Sequence, residues 1–368
     1  MKQRIISLLL GSAMALSLLA GCAGVPGTTA STTGTPASEE VQSEETAEAG
    51  SSEGGTYAFV VRSAGNPYIE KEEEGFIEAV ESMGGTVIIK EPEQATADAQ
   101  ITMIQSVISQ GVDCIAVGAN DINALSATLQ QAQEEGIKIL AIDADVNPAD
   151  RATFINQAGT QEIGQALIDA VLDISGGEGQ YAILSATSQS TNQNAWIDAM
   201  KAVAESDEKY SKLELVEVAY GDDEPQKSTD QTQALLSKYP DLKVICSPTT
   251  VGIAAAAKVL QDQNSPVKLT GLGLPSEMSE YIGEGDEYSC PYMFLWNPID
   301  LGKLGGYTAV ALVKGEITGA VGDTFTAGDM ENSPYTLTAL ESGEGSEVIL
   351  GPPFRFDPSN IEEWKDIY

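Results

Sequence analysis

The chain of 368 residues contains no histidine. Without imidazole, Ser-His-Asp and Cys-His catalysis are excluded, as are zinc sites that need a ring nitrogen. Cysteine is scarce, with only Cys22, Cys114, Cys246 and Cys290. The last three lie in apolar stretches and make no close pair at zinc-ligand spacing, so they read as small buried hydrophobes and no structural disulfide is expected. Basic residues are few, 19 against 55 acidic ones, for a net charge of −36. So acidic a body repels nucleic acid and anionic lipid head groups, which argues against both as partners. Phosphate-binding glycine motifs are also missing. No Gly-x-Gly-x-x-Gly follows a first strand, and Thr270-Gly-Leu-Gly-Leu-Pro275 is wrongly spaced for a dinucleotide. Asp143-Ala-Asp-Val-Asn147 begins like a calcium loop, but Pro148 and Phe154 occupy its sixth and twelfth places. Asp143 and Asp145 stand too close on one loop to face each other across a glycosidic bond. No cofactor, metal or catalytic centre is expected, and the chain does not read as an enzyme.

What is present begins with an address. Lys2 and Arg4 precede an apolar run over 5–18 that ends in Leu19-Ala20-Gly21-Cys22. A basic start, a core too short for an ordinary membrane span and small residues at the cut make a secretory signal. Cysteine directly after Leu-Ala-Gly resembles the bacterial lipoprotein signal, in which that thiol is lipidated and becomes the mature N-terminus. An exported protein tethered through Cys22 to the outer face of a cell membrane is expected, with no other membrane contact. Residues 23–55 are nearly all Ala, Gly, Ser, Thr, Pro and Glu, and cannot bury enough apolar surface to order themselves. They read as a disordered linker with an end-to-end distance of about 30 Å.

From Thr56 onward about 310 residues remain, more than one hydrophobic core usually serves, so two lobes are expected. Short apolar runs alternate with longer helical patterns. Strands are predicted over 57–61, 86–89, 113–117, 138–142 and 153–155, with helices over 68–83, 97–110 and 122–135 between them. In the second helix Ile101, Ile104, Val107 and Ile108 form one apolar face. The scheme repeats with strands over 181–184, 213–218, 244–245, 267–270 and 291–295. Strict βαβ alternation implies parallel sheets covered by helices, and two series in tandem imply two similar α/β lobes.

In open parallel sheets ligands sit beyond the carboxyl ends of the strands. Those places are rich in hydrogen-bonding side chains here. Arg62, Ser63, Asn66 and Tyr68 follow the first strand, and Asp143 and Asp145 the fourth. In the second series come Thr187 to Asn194, including Asn192 and Gln193, then Pro248-Thr249-Thr250, then Trp296-Asn297. Carboxylate, guanidinium and amides share hydroxyl protons, while the rings of Tyr68 and Trp296 can cover the C–H side of a sugar. The set suits a polyhydroxylated small molecule.

At these residues the chain resembles the sugar-binding lipoproteins of bacterial ABC importers, in the ribose-binding-like family of periplasmic binding proteins. Ser190-Thr-Asn-Gln-Asn194, Tyr220-Gly-Asp-Asp223, Pro248-Thr-Thr-Val-Gly252, Thr270 to Met278 and Trp296-Asn-Pro-Ile-Asp-Leu-Gly302 resemble the rhamnose-binding branch. The resemblance implies a type I fold with two lobes joined by a three-strand hinge. It sets the first lobe at 56–157 plus about 298–324 and the second at 158–297 plus 325–368. It implies a monomer that closes over a rhamnose-like deoxyhexose and delivers it to an ABC permease. Arg62 and Asp143 would meet the sugar from one lobe. Asn192, Gln193, Thr249 and Asn297 would answer from the other lobe and the hinge, between the walls of Tyr68 and Trp296. Autoinducer-2-binding proteins are cousins, and an autoinducer-2 or sugar-sensing receptor is the alternative. The places their lysine, aspartate, Asp-Gln pair and Pro-x-Ala turn would take hold Arg62, Asp143, Asn192-Gln193 and Pro248-Thr-Thr250. A repressor of similar architecture would need a DNA-binding headpiece where the acidic leader stands.

Overall fold

The computed structural model describes residues 54–341 and 343–368. The leader with Cys22 and the linker up to residue 53 lie outside the described residues. The first series runs β1 (Thr56–Val60), α1 (Pro67–Ser82), β2 (Thr86–Lys90), α2 (Ala97–Ile108), β3 (Cys114–Val117), α3 (Ser126–Glu134), β4 (Lys138–Ile142) and β5 (Thr153–Asn156). The second runs α4 (Thr160–Ile174), β6 (Gly179–Ser185), α5 (Thr191–Ser206), β7 (Leu213–Tyr220), α6 (Pro225–Lys238), β8 (Leu242–Ser247), α7 (Thr250–Asp262) and β9 (Lys268–Gly271). Then come α8 (Pro275–Met278), β10 (Met293–Leu295), α9 (Pro298–Val313), β11 (Thr324–Phe325) and β12 (Tyr335–Thr336). The chain ends with β13 (Thr338–Ala339), β14 (Ser346–Ile349), β15 (Phe354–Phe356) and α10 (Ile361–Trp364).

One sheet has the order β13-β14-β5-β4-β3-β1-β2 and the other β7-β6-β8-β9. Both are parallel apart from the antiparallel β13–β14 edge. Alternation along β1 shows how the first sheet is covered. Tyr57 and Phe59 face α1 and α9, in a core with Phe76, Val80, Leu301 and Leu304. Ala58 and Val60 face the other way, with Ile104, Val107, Leu125 and Leu129 of α2 and the α3 region. Opposite faces of a period-2 strand thus feed two separate apolar layers.

Helices α1 and α9 cross in backbone contact. A Cβ added at Gly302 would collide with the Glu72 carbonyl, and one at Gly75 with that of Ile299. The crossing fixes α1, and α1 begins at the site. A second staple is Gln100 of α2, fully buried. Its Nε2 donates to the carbonyls of Val61 (3.0 Å) and Gly118 (2.7 Å), and its Oε1 accepts from Asn120 N. It ties together the carboxyl ends of β1 and β3, where the chain turns toward the cleft.

Three expectations need correction. Helix α3 starts at Ser126 rather than Ile122, because the Asp121 carboxylate accepts from Asn123 N and Ala124 N and holds a turn there. The run over 291–295 is not a fifth parallel strand. Pro291 lacks the N–H a ladder needs, β10 pairs antiparallel with β15, and the run meets the end of β9 through one parallel Leu272–Phe294 bridge, with Thr270 Oγ1 donating to the Tyr292 carbonyl. Finally, 325–368 does not all go with the second lobe. β14 lies beside β5 in the first sheet (Val348 opposite Ile155), and Arg151 Nη1 donates to the Ser346 carbonyl. The chain passes between the two sheets after β5, after β10 and, for the third time, between β14 and β15.

On α1, Glu73 is partly buried and its Oε1 has no hydrogen-bonding partner among the described residues. Burial, with Glu91 and Glu70 nearby, pushes its carboxyl up to about 7. The folded protein therefore holds this proton more tightly than the unfolded chain. Its contribution to stability is complete below the usual carboxylate range and is lost as pH rises through about 7. Glu73→Gln should be more stable than the parent at pH 8, on the order of 1–2 kcal/mol after solvent screening, with little difference at pH 4. Urea unfolding at the two pH values checks this, and a pH-independent difference would refute it.

Candidate functional site

The carboxyl ends of both sheets converge on a narrow cavity of about 30 Å³, so side chains of the two halves already meet across it. From the first sheet, β1 leads to Arg62, and Asn66 accepts from Tyr68 N as the N-cap of α1. β4 leads to Asp143, held at φ +64° in the left-handed region. From the second sheet, Asn192 and Gln193 stand in the first turn of α5, and Pro248, Thr249 and Thr250 open α7. Trp296 follows β10. All of these line the cavity.

The polar groups form one network. Arg62 Nη2 donates to Asp223 Oδ2 (3.3 Å) and Ser190 Oγ (3.4 Å), while its Nη1 lies 3.9 Å from Asp143 Oδ2. Asn192 Nδ2 donates to Asp143 Oδ2 at 3.4 Å, and Thr249 Oγ1 to Asp223 Oδ1 at 2.6 Å. Tyr68 links this network to the aromatic wall. Its hydroxyl donates to Asp143 Oδ1 (3.1 Å) and accepts from Trp296 Nε1 (2.7 Å). Trp296 packs edge-on against Tyr68 and Trp196, with centroids 6.3 and 5.7 Å away. Arg62 Nε and Gln193 Oε1 are buried without a hydrogen-bonding partner among the described residues, a donor and an acceptor that a ligand could satisfy.

Electrostatics narrow the chemistry. One guanidinium stands between two carboxylates, and Glu72 lies one turn behind Tyr68, 2% exposed. Burial pushes the Asp143 carboxyl up, against the opposing pull of Arg62 and the hydrogen bonds from Tyr68 and Asn192. Burial and the nearby Asp143 push Glu72 well above the usual carboxylate range. Anionic ligands are disfavoured by this balance, and neutral molecules with many hydroxyls are not. Asp143, Asp222 and Asp223 all have positive φ and stand at strand ends around the cleft. Backbone strain of this kind concentrates where a side chain must be aimed.

Asn297 is the expected site residue that does not reach the cavity. It caps α9, its Oδ1 accepting from Ile299 N and Asp300 N and its Nδ2 donating to Asp300 Oδ2. Asp145 likewise belongs to a structural ion pair with Arg151. Sequence reasoning missed five lining residues: Ile69, Trp196, Asp223, Leu272 and Leu295. Asp223 closely follows β7 and was open to the strand-end rule. Leu272 and Leu295 stand at strand ends too, but a search for polar groups passes over them.

A model of the periplasmic binding protein domain matches residues 57–317. The chain belongs to the periplasmic binding protein family. An ABC transporter solute-binding protein from Clostridium phytofermentas, solved with bound L-rhamnose, is 58% identical, with a TM-score of 0.84 over 85% of this chain and 99% of that one. A sugar ABC transporter protein from Actinomyces odontolyticus is 36% identical, with a TM-score of 0.66 over 86% of this chain and 99% of that one. A protein from Clostridium saccharobutylicum in complex with AI-2 shares the fold at 20% identity, with a TM-score of 0.77 over 84% of this chain and 99% of its own. Among curated relatives, the D-xylose-binding periplasmic protein of Escherichia coli is 29% identical over 105 residues, 28% of this chain and 31% of that protein. The matched stretch thus spans about a third of that relative. As a periplasmic binding protein the chain has the type I fold expected of two parallel-sheet lobes.

Tyr68 satisfies two buried groups with one hydroxyl. Tyr68→Phe would leave Trp296 Nε1 and Asp143 Oδ1 without that partner, costing about 1–3 kcal/mol. Denaturant unfolding of the variant should show a loss in that range. An unchanged midpoint would mean the two groups find other partners.

Proposed function

We propose that the protein is the extracytoplasmic solute receptor of an ABC importer for a neutral sugar, with an L-rhamnose-like deoxyhexose as its ligand. The observation that carries this is a cleft whose polar lining comes from both sheets, in a chain 58% identical to a solute-binding protein with bound L-rhamnose. Arg62 and Asp143 engage sugar hydroxyls from the first lobe, and Asn192, Gln193, Asp223 and Thr249 from the second. The lobes are 56–156 with 298–349, and 160–295 with 354–368. Lobe closure buries charge-assisted hydrogen bonds of roughly 1.5–3 kcal/mol each, so the ligand favours the closed form, which a permease reads. Tyr68 and Trp296 wall the sugar, and it leaves chemically unchanged. The receptor works as a monomer and docks on the permease while its linker holds it near the membrane.

The test is calorimetry with purified protein against L-rhamnose, other aldoses and autoinducer-2. L-rhamnose should bind most tightly, and Asp143→Ala should abolish that binding while shifting the ligand-free melting temperature by only a few degrees. Tighter binding of autoinducer-2 would move the protein to the signal-receptor reading, and retained affinity in the variant would remove Asp143 from the site.

The anchor has its own test. Among the described residues no helix is long and apolar enough to cross a membrane. Attachment in this reading rests on lipid at Cys22, within a leader of signal character. Expressed in a bacterial host, the protein should fractionate with membranes and Cys22→Ala should not. Equal fractionation of the two would remove the lipid anchor.

A further inference from the structure

The cavity lining is of two chemical kinds. Arg62, Asp143, Asn192, Asp223 and Thr249 share hydrogen bonds and ion pairs. Ile69, Leu272 and Leu295, each at most 5% exposed, line the same cavity, as does Trp296. The Leu272–Phe294 bridge brings Leu272, just past β9, beside Leu295 at the end of β10. This corner has little polarity left to offer. Trp296 Nε1 is committed to the Tyr68 hydroxyl at 2.7 Å. Leu272 N donates to the Ser247 carbonyl (2.9 Å) and Gly273 N to that of Phe294 (3.2 Å). The three aliphatic side chains offer a hydroxyl no partner and the neighbouring N–H groups are spent, but the same side chains can cover a methyl group.

We infer that the Ile69–Leu272–Leu295 corner receives the methyl at C5 of a 6-deoxy sugar and makes this site discriminate against the matching hexose. The inference rests on the proposal that the ligand is a sugar and adds the residues that enforce a preference for its 6-deoxy form. A 6-deoxyhexose turns its ring hydroxyls to the Arg62–Asp143–Asp223 side and its one apolar substituent to the leucines. The hexose carries an extra hydroxyl on that substituent, and binding strips its water without replacing the hydrogen bonds. An apolar pocket rejects an added hydroxyl by about 100-fold. The same corner accepts either configuration at the ring carbons, because it touches only the substituent at C5.

The experiment measures dissociation constants of the purified protein for matched pairs: L-rhamnose with L-mannose, L-fucose with L-galactose, and D-fucose with D-galactose. In whichever configuration binds, the 6-deoxy member should be tighter, by about 100-fold and at least ten-fold. Leu272→Thr and Leu295→Thr, each placing a hydroxyl in the corner, should narrow that ratio several-fold. A ratio near one in the parent protein, or a tighter hexose, overturns the inference and leaves the sugar reading standing. A ratio unchanged in folded threonine variants also overturns it, by removing these residues from the selection. Should neither variant fold, the parent ratio alone decides. If no member of any pair binds while a compound that is not a sugar does, both this inference and the sugar reading fall together.

Discussion

Arg62 is a buried cation whose neighbouring carboxylates come from different sheets. Asp143 follows β4 of the first sheet, and Asp223 follows β7 of the second. Stripping water from three charges is costly, and the cost is met only when their geometry is held. Much of the surrounding structure can be read as the means of holding it. Asp143 and Asp223 take left-handed backbone conformations that ordinary residues avoid. Tyr68, Asn192 and Thr249 supply hydrogen bonds to the carboxylates, and Asn120 Nδ2 donates to the Arg62 carbonyl at 2.8 Å. Since this set bridges the sheets, separating them breaks it. A ligand that replaces its bonds with its own hydroxyls is bound by both halves at once.

The scaffold is rigid where the site needs aim. Backbone contact between α1 and α9 at Gly75 and Gly302 leaves α1 no freedom to slide, and Tyr68 stands in its first turn. The Gln100 network ties β1 to β3 just below Arg62. The second sheet uses helix starts instead. Asn192, Gln193, Thr249 and Thr250 lie at the beginnings of α5 and α7, where the helix geometry sets their direction. First-sheet residues are thus pinned by packing and second-sheet residues by helix geometry.

The acidic balance has two separate consequences. Over the whole chain, the excess of carboxylates repels anionic polymers. Within the cleft, two aspartates flank the arginine that lines it, an arrangement unfavourable to anions, and the aliphatic lining suits an apolar part of the ligand. Charge and apolarity together describe a neutral, amphipathic small molecule.

Local signals were enough for the strands up to β9, the βαβ order and most of the residues that line the cavity. Strand ends can be found by composition alone, so Arg62, Asp143, Asn192 and Thr249 were legible in the sequence. Asn297 was named by the same reasoning but does not line this cavity: an amide after a strand also suits a helix cap, and only the path of α9 shows that it takes that role. That reasoning placed β14 in the wrong half, since a four-residue strand carries no mark of a partner nearly two hundred residues earlier. It passed over Leu272 and Leu295, which look like ordinary core. What the sequence determined by itself was chemistry: which groups exist, how they alternate and which reactions are impossible. The tertiary structure decided proximity. Contacts such as Arg62–Asp223 or Leu272–Leu295 depend on how distant segments cross, and no local pattern encodes that crossing.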